Sequence, residues 1–195
     1  MTKAASTRLT ILQKAFELVY RNGYQATSVD DIIATTKLTK GAFFYHFKSK
    51  DEMGLAMINE VMYPGMYEVL VKPLENTNNP VKDIYSMMKH LLLTAPFFDV
   101  KYGCPAVNLV EEMAPLNDKF KHALNMLLEQ WQQAIKLCLT KGVEDGKIKN
   151  TTNPGFVAVY ITAGYGGVRN MGKLQGTEVY KMYLKEFKNY LEGLR

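Results

Sequence analysis

Apolar residues recur three and four positions apart along nearly the whole chain, and no stretch alternates at every second position. That spacing gathers them on one face of an α-helix and predicts an all-α fold. Leu12, Ala15, Phe16, Val19 and Tyr20 form the first such face, and Asn22-Gly23 ends it with a residue suited to a helix cap. Ser28 is placed to cap a second helix, with Asp30 and Asp31 in its first turn and Val29, Ile32 and Ile33 pointing inward. Lys37-Leu38-Thr39 makes a turn, and Thr39 caps a third helix running to about residue 47. Ser49 to Glu52 matches a capping box and opens a fourth helix, expected to stop near Tyr63 ahead of Pro64-Gly65.

Polar breaks then separate helical segments expected at residues 80–93, 105–113, 117–142, 155–171 and 177–194. The break at 96–105 contains Phe97, Phe98, Tyr102 and Cys104. Residues 1–50 thus read as a small three-helix domain of helix-turn-helix type, and residues 51–195 as a larger helical domain.

Charge sharpens this division. Residues 1–50 carry eight Lys and Arg against three Asp and Glu, while the rest of the chain carries sixteen of each. The whole formal net charge of +5 therefore sits in the first quarter, where it favours a polyanionic partner such as double-stranded DNA. The bland alternative is a solvated basic face.

Composition mainly excludes. With 195 residues, 47% of them hydrophobic, the chain can bury a sizeable core. Cys104 and Cys138 make neither a metal spacing nor a disulfide framework, which fits a reducing cytoplasm. His46, His90 and His122 also lack ligand spacing, so no metal or cofactor is expected. The first ten residues lack the apolar core of a signal peptide, and the weakly polar run 155–168 is too short to span a bilayer. A soluble cytoplasmic protein with no membrane partner is expected. No nucleophile elbow or paired-acid arrangement stands out, which argues against an enzyme.

In a helix-turn-helix the second helix enters the major groove while flanking groups clamp phosphates. Thr39 and Lys40 would open that reading helix, and Gly41 would let the backbone approach the duplex. Ala42 offers a methyl-sized surface for a thymine methyl. Tyr45, His46 and Lys50 carry donors suited to phosphate oxygens, and Thr27 and Ser28 could hold the opposite backbone. Phe43 and Phe47, four apart, face the small core with Phe16, Ile33 and Leu38, whereas spacing leaves Phe44 ambiguous.

The order Gly23-Tyr24-x-x-Thr27-Ser28-Val29-Asp30-x-Ile32, turn, Thr39-Lys40-Gly41-x-Phe43-x-Tyr45-His46-Phe47, then Lys50-x-Glu52, resembles the N-terminal domain of TetR-type transcriptional regulators. The motif is specific and covers about a quarter of the chain; the remainder is similar in length and helical content. Two positions depart from the pattern: Lys37 where the turn usually has a small residue, and Phe44 where many members have a polar one. The resemblance implies a homodimer on a near-palindromic operator, acting as a repressor that a small-molecule effector releases. Physically, one short reading helix contacts few base pairs, and two of them about 34 Å apart multiply the affinity.

The resemblance also assigns ligand binding and dimerisation to residues 51–195. The last two helices are the expected dimer surface, with Gly164, Gly166 and Gly167 beside Tyr160, Tyr165 and Val168, and an apolar face from Val179 to Leu191. The middle helices should enclose the effector, with Met87, Leu91, Phe98, Tyr102 and Trp131 as lining. Asn108, Glu111, Glu112 and Arg169 are the polar groups expected to orient it, with Cys104 one turn before Asn108. Cys104, just ahead of a helix, carries a second reading as a thiol sensor of electrophiles or oxidants, against an inert buried Cys. A rival class is a helical adaptor whose basic segment meets an acidic protein rather than DNA.

Overall fold

A computed structural model of the protein describes residues 2–195, and every regular element among them is helical. Helix α1 (Lys3–Asn22) leads to α2 (Val29–Ala34), α3 (Lys40–His46) and α4 (Lys50–Met57). Helical backbone then continues through a π turn (Ile58–Met62), α5 (Tyr63–Met66), a second π turn (Tyr67–Val71) and a tight 3-10 turn (Lys72–Leu74). After a break come α6 (Pro80–Leu93), α7 (Pro105–Met113), α8 (Asp118–Glu144), α9 (Pro154–Gln175) and α10 (Glu178–Glu192). These elements form two compact units, Met1–Gly65 with Pro105–Asn125, and Met66–Cys104 with Met126–Arg195.

In the first unit α1 packs against α2, α4 and α7. Ile11, Leu12, Ala15 and Val19 of α1 are buried, as are Ile32, Phe43, Phe47, Met53 and Met57. Each large side chain taken out of water here contributes about 1.5–3 kcal/mol. The predicted caps form: Ser28, Thr39 and Ser49 accept from the amides of Asp31, Ala42 and Glu52. Gly23 ends α1 at φ 90°, a backbone conformation costly for any residue with a Cβ. The turn before α3 takes Lys37 without a left-handed residue, and the Thr36 hydroxyl accepts from the Leu38 amide at 3.2 Å. The bulky side chain therefore brings no backbone strain.

The expected helix end near Tyr63 is not found. Helical backbone passes through Pro64-Gly65 and stops only at Leu74. A proline inside a regular helix clashes with the carbonyl four residues earlier. For Pro64 that residue is Glu60, which lies in the π turn, where the widened backbone relieves the clash.

In the second unit α6 and α9 both pack against α10. Its core includes Val81, Ile84 and Met88 from α6, Ile135 and Leu139 from α8, Ile161 and Val168 from α9, and Leu184, Phe187 and Leu191 from α10. Among the described residues no helix is long and apolar enough to cross a membrane.

Gly54 offers a test of packing in the first unit. A Cβ there would stand 2.7 Å from both Phe120 Cζ and Tyr24 Cε2, and all three residues are buried. Overpacking of this kind costs about 1–3 kcal/mol. Gly54→Ala should lower stability by that amount in urea unfolding; an unchanged midpoint would mean the two rings yield freely.

Candidate nucleic-acid interface

The surface of α3 follows from what its other face buries. Phe43 and Phe47 are 1% and 0% exposed, and Lys40, Gly41, Phe44 and Tyr45 form the exposed surface of the helix. Tyr45 is 79% exposed and Phe44 46%. Phe44 thereby joins this exposed surface and offers an apolar edge of the kind that meets thymine methyls. Ala42 and His46 flank it half-buried, and the Tyr45 and His46 rings meet edge-on at 5.0 Å. Lys37 and Lys48 add exposed positive charge on either side.

The ion pair of Lys40 with Asp30, at 2.9 Å, joins two exposed side chains. Such a pair is worth about 0–1 kcal/mol, so phosphate or a base edge can replace the carboxylate at little cost. Three other expected contacts are committed internally. Thr27 is 1% exposed and its hydroxyl donates to the Gly23 carbonyl at 2.7 Å, so its role is to shape the turn. The Ser28 amide and hydroxyl both donate to the Asp31 carboxylate, at 2.8 and 2.6 Å. These bonds hold the Asp31 carboxyl below its usual range. Lys50 is half-buried, with Nζ 4.4 Å from the Tyr24 ring centre and 3.4 Å from the Gln25 carbonyl oxygen. Burial pulls its ammonium below the ordinary lysine value, against the opposing pull of Asp51 and Glu112.

Residues far away in the chain hold this surface in place. Arg8 donates through Nη1 to the His46 carbonyl at 3.1 Å and through Nε and Nη2 to both oxygens of Glu60. Its guanidinium also lies 4.4 Å from the Phe47 ring centre. The end of α3 is thus clamped to α1. Glu112 on α7 accepts from the amides of Tyr24 and Gln25, at 2.8 and 2.5 Å, and so fixes the turn between α1 and α2. The Tyr24 hydroxyl donates to Asp51 at 2.7 Å, and Asn117 donates to the other Asp51 oxygen. Burial, then Asp51, push the Tyr24 phenol well above its ordinary range.

Glu112 therefore does not orient a ligand: both of its oxygens are taken by backbone amides. It and Asn108 belong to the first unit, on α7. The other residues expected around an effector, Met87, Leu91, Phe98, Tyr102, Cys104, Trp131 and Arg169, all belong to the second unit. Met87, Leu91, Cys104, Trp131 and Arg169 are buried there, and Phe98 and Tyr102 are half-buried.

The chain matches the bacterial regulatory proteins of the tetR family over residues 11–57, and the tetracyclin repressor-like C-terminal domain over residues 81–185. It is 32% identical over 130 residues to an uncharacterized HTH-type transcriptional regulator in the lacX 3' region of Lactococcus lactis, covering 67% of this chain and 66% of that protein. It is 26% identical over 161 residues to the HTH-type transcriptional repressor DhaR of Mycobacterium sp. strain GP1, covering 82% and 79%. The crystal structure of reduced Escherichia coli NemR superposes with a TM-score of 0.83 at 21% identity, over 94% of this chain and 96% of that one, a likeness of fold.

Two substitutions separate reading from support. Tyr45→Ala removes an exposed ring and should cost about tenfold or more in operator affinity with no change in melting temperature. Glu112→Gln sets an amide NH2 against a backbone N–H, replacing a charge-assisted bond worth about 1.5–3 kcal/mol. It should lower both thermal stability and operator affinity. Equal melting of Glu112→Gln and wild type would remove Glu112 from this supporting role.

Proposed function

This chain belongs to the tetR family of bacterial regulatory proteins, and we propose that it is a homodimeric cytoplasmic repressor, released from a near-palindromic operator by a small-molecule effector. It is a transcription regulator and not an enzyme, as are its relatives in sequence and fold. One observation carries the DNA-binding part: the exposed surface Lys40, Gly41, Phe44 and Tyr45 on a helix that buries Phe43, with exposed Lys48 just past its end. Residues 1–50 meet the operator, and residues 51–195 bind the effector and the second copy.

An unpartnered apolar face supports the dimer. Phe156, Val159, Tyr160, Ala163, Gly167, Met171 and Leu174 recur at three- and four-residue spacing along α9, and all are exposed. Phe156 and Leu174 reach 77% and 87%, and Met182 on α10 reaches 71%. Contiguous apolar surface of this kind marks an interaction site. An open cavity of about 250 Å³, lined by Tyr160, Ala163, Gly164, Tyr183, Glu186, Phe187 and Tyr190, lies on the same helix pair. Gly164 already serves packing within the protomer, since a Cβ there would stand 2.6 Å from the Tyr183 hydroxyl. A Cβ on Gly167 would meet nothing within 4 Å, which leaves room for a partner helix.

Release needs an effector that favours one arrangement over another, and it can shift the balance only by that difference in affinity. Helix α7 starts at the residue after Cys104 and carries Glu112 to the turn ahead of α2. Displacing α7 would loosen that turn and so degrade the reading surface.

A second reading, thiol sensing through Cys104, draws on one contact. The Tyr165 hydroxyl, which accepts from Arg169 Nε at 3.1 Å, also faces the Cys104 thiol. Cys104 is 1% exposed, which slows any reaction with an electrophile. On this reading N-ethylmaleimide releases the wild-type protein from DNA but not Cys104→Ser, and an equal response of both excludes it.

Operators selected from random DNA should be near-palindromic and bind with a steep salt dependence. Tyr160→Glu places a charge in the α9 face and should yield monomers in sedimentation, with operator affinity lost and the circular dichroism unchanged. Absence of DNA binding at moderate salt would favour a helical adaptor for an acidic protein, and an intact Tyr160→Glu dimer would move the interface elsewhere.

A further inference from the structure

Arg169 is the one charged residue among the described residues that is buried; its exposure is 0%. No Asp or Glu is buried among them, and Arg169 makes no ion pair. Its Nε donates to the Tyr165 hydroxyl and its Nη2 to the Leu91 carbonyl, but Nη1 has no hydrogen-bond partner. A guanidinium stays protonated at any ordinary pH, and burying an ion without a counter-charge is strongly unfavourable. Two neutral oxygens do not balance a full positive charge. The charge is left without an acidic partner among the described residues.

The surroundings say what kind. Phe98, Tyr165 and Tyr180 present their rings to the guanidinium carbon, with centroids 4.7, 5.2 and 5.4 Å away. Trp131 meets Tyr165 edge-on at 5.1 Å. Two more buried donors on these rings have no hydrogen-bond partner, the Trp131 Nε1 and the Tyr180 hydroxyl. The Tyr180 hydroxyl lies over Gly172, where a Cβ would collide with it. Three unpaired donors among aromatic rings match a group that only accepts and is flat. A carboxylate fits: its two oxygens suit the guanidinium fork, and a short apolar or aromatic body suits the rings. Phe98 sits in the non-helical stretch between α6 and α7 and lays its ring against the guanidinium.

We propose that the second unit holds a site for small carboxylate anions at the Arg169 guanidinium, completed by Tyr180 and Trp131, and that the effector belongs to this class. Only the second half rests on the ligand-released reading given above.

The test is isothermal titration of the full-length protein with matched acids and amides: acetate and acetamide, propionate and propionamide, benzoate and benzamide. At least one carboxylate should bind at least tenfold more tightly than its amide. That preference should vanish in Arg169→Met and weaken in Arg169→Lys, which keeps the charge but loses the fork. Equal or absent binding of both members of every pair overturns the site, as does a preference that survives in folded Arg169→Met. Should Arg169→Met not fold, Tyr180→Phe and Trp131→Phe decide, since each should weaken the carboxylate and leave the amide unaffected; no effect of either overturns it. Operator release separates the two claims. Release by a neutral compound, with no carboxylate binding, overturns the site while the repressor reading stands. Carboxylate binding through Arg169 without operator release upholds the site and ends the assignment of that class as effector.

Discussion

A helix of seven residues is too short to persist in water, so α3 depends on being pinned from behind. Burial of Phe43 and Phe47 supplies the main attraction, and Arg8 closes the end by bonding the His46 carbonyl while covering the Phe47 ring. The outward surface is a consequence of this pinning. With Phe43 inward, helical geometry turns Gly41, Phe44 and Tyr45 away, and Lys40 and Lys48 are exposed at its two ends. Whatever loosens the pinned face also blurs the surface proposed to read DNA, which would tie stability and recognition together in the first unit.

Two cations show how burial decides the use of charge. Lys40, paired with Asp30 in full solvent, can exchange its partner for a phosphate at small cost. Arg169 is sealed among aromatic rings with an unpaired Nη1, and there a missing partner is costly. The first arrangement suits rapid, reversible contact with a polyanion. The second suits selective capture of one small anion, because the same low dielectric that penalises the empty site strengthens the filled one.

Much of this was legible in the residues because it is local. The faces of α1, α2 and α3, the caps at Ser28, Thr39 and Ser49, and the bounds of α6 and α7 all follow from spacing and side-chain type within a few positions. Local reasoning went astray at Pro64, where a π turn upstream removes the clash that would end a regular helix. Spacing also offers Thr27 and Ser28 to the DNA backbone, whereas the Thr27 hydroxyl donates to the Gly23 carbonyl and the Ser28 hydroxyl is engaged with Asp31 in the expected cap. Phe44 could be assigned only once its neighbours were seen to be inward.

The supporting bonds had no such signature. Arg8 meets partners 38 and 52 residues away, and Glu112 reaches back 88 residues to the turn it holds. Glu112 and Arg169 look alike as isolated polar residues on helical faces, yet both oxygens of one are taken by amides and the other is buried with Nη1 unpaired. The sequence by itself determined an all-helical chain, a basic helix-turn-helix at its start and the family to which it belongs, since these rest on periodicity, charge and closely spaced motif residues. Only the tertiary structure decided which polar groups are spent on the fold and which remain for a ligand, because hydrogen bonding and burial depend on neighbours that the chain brings from far away.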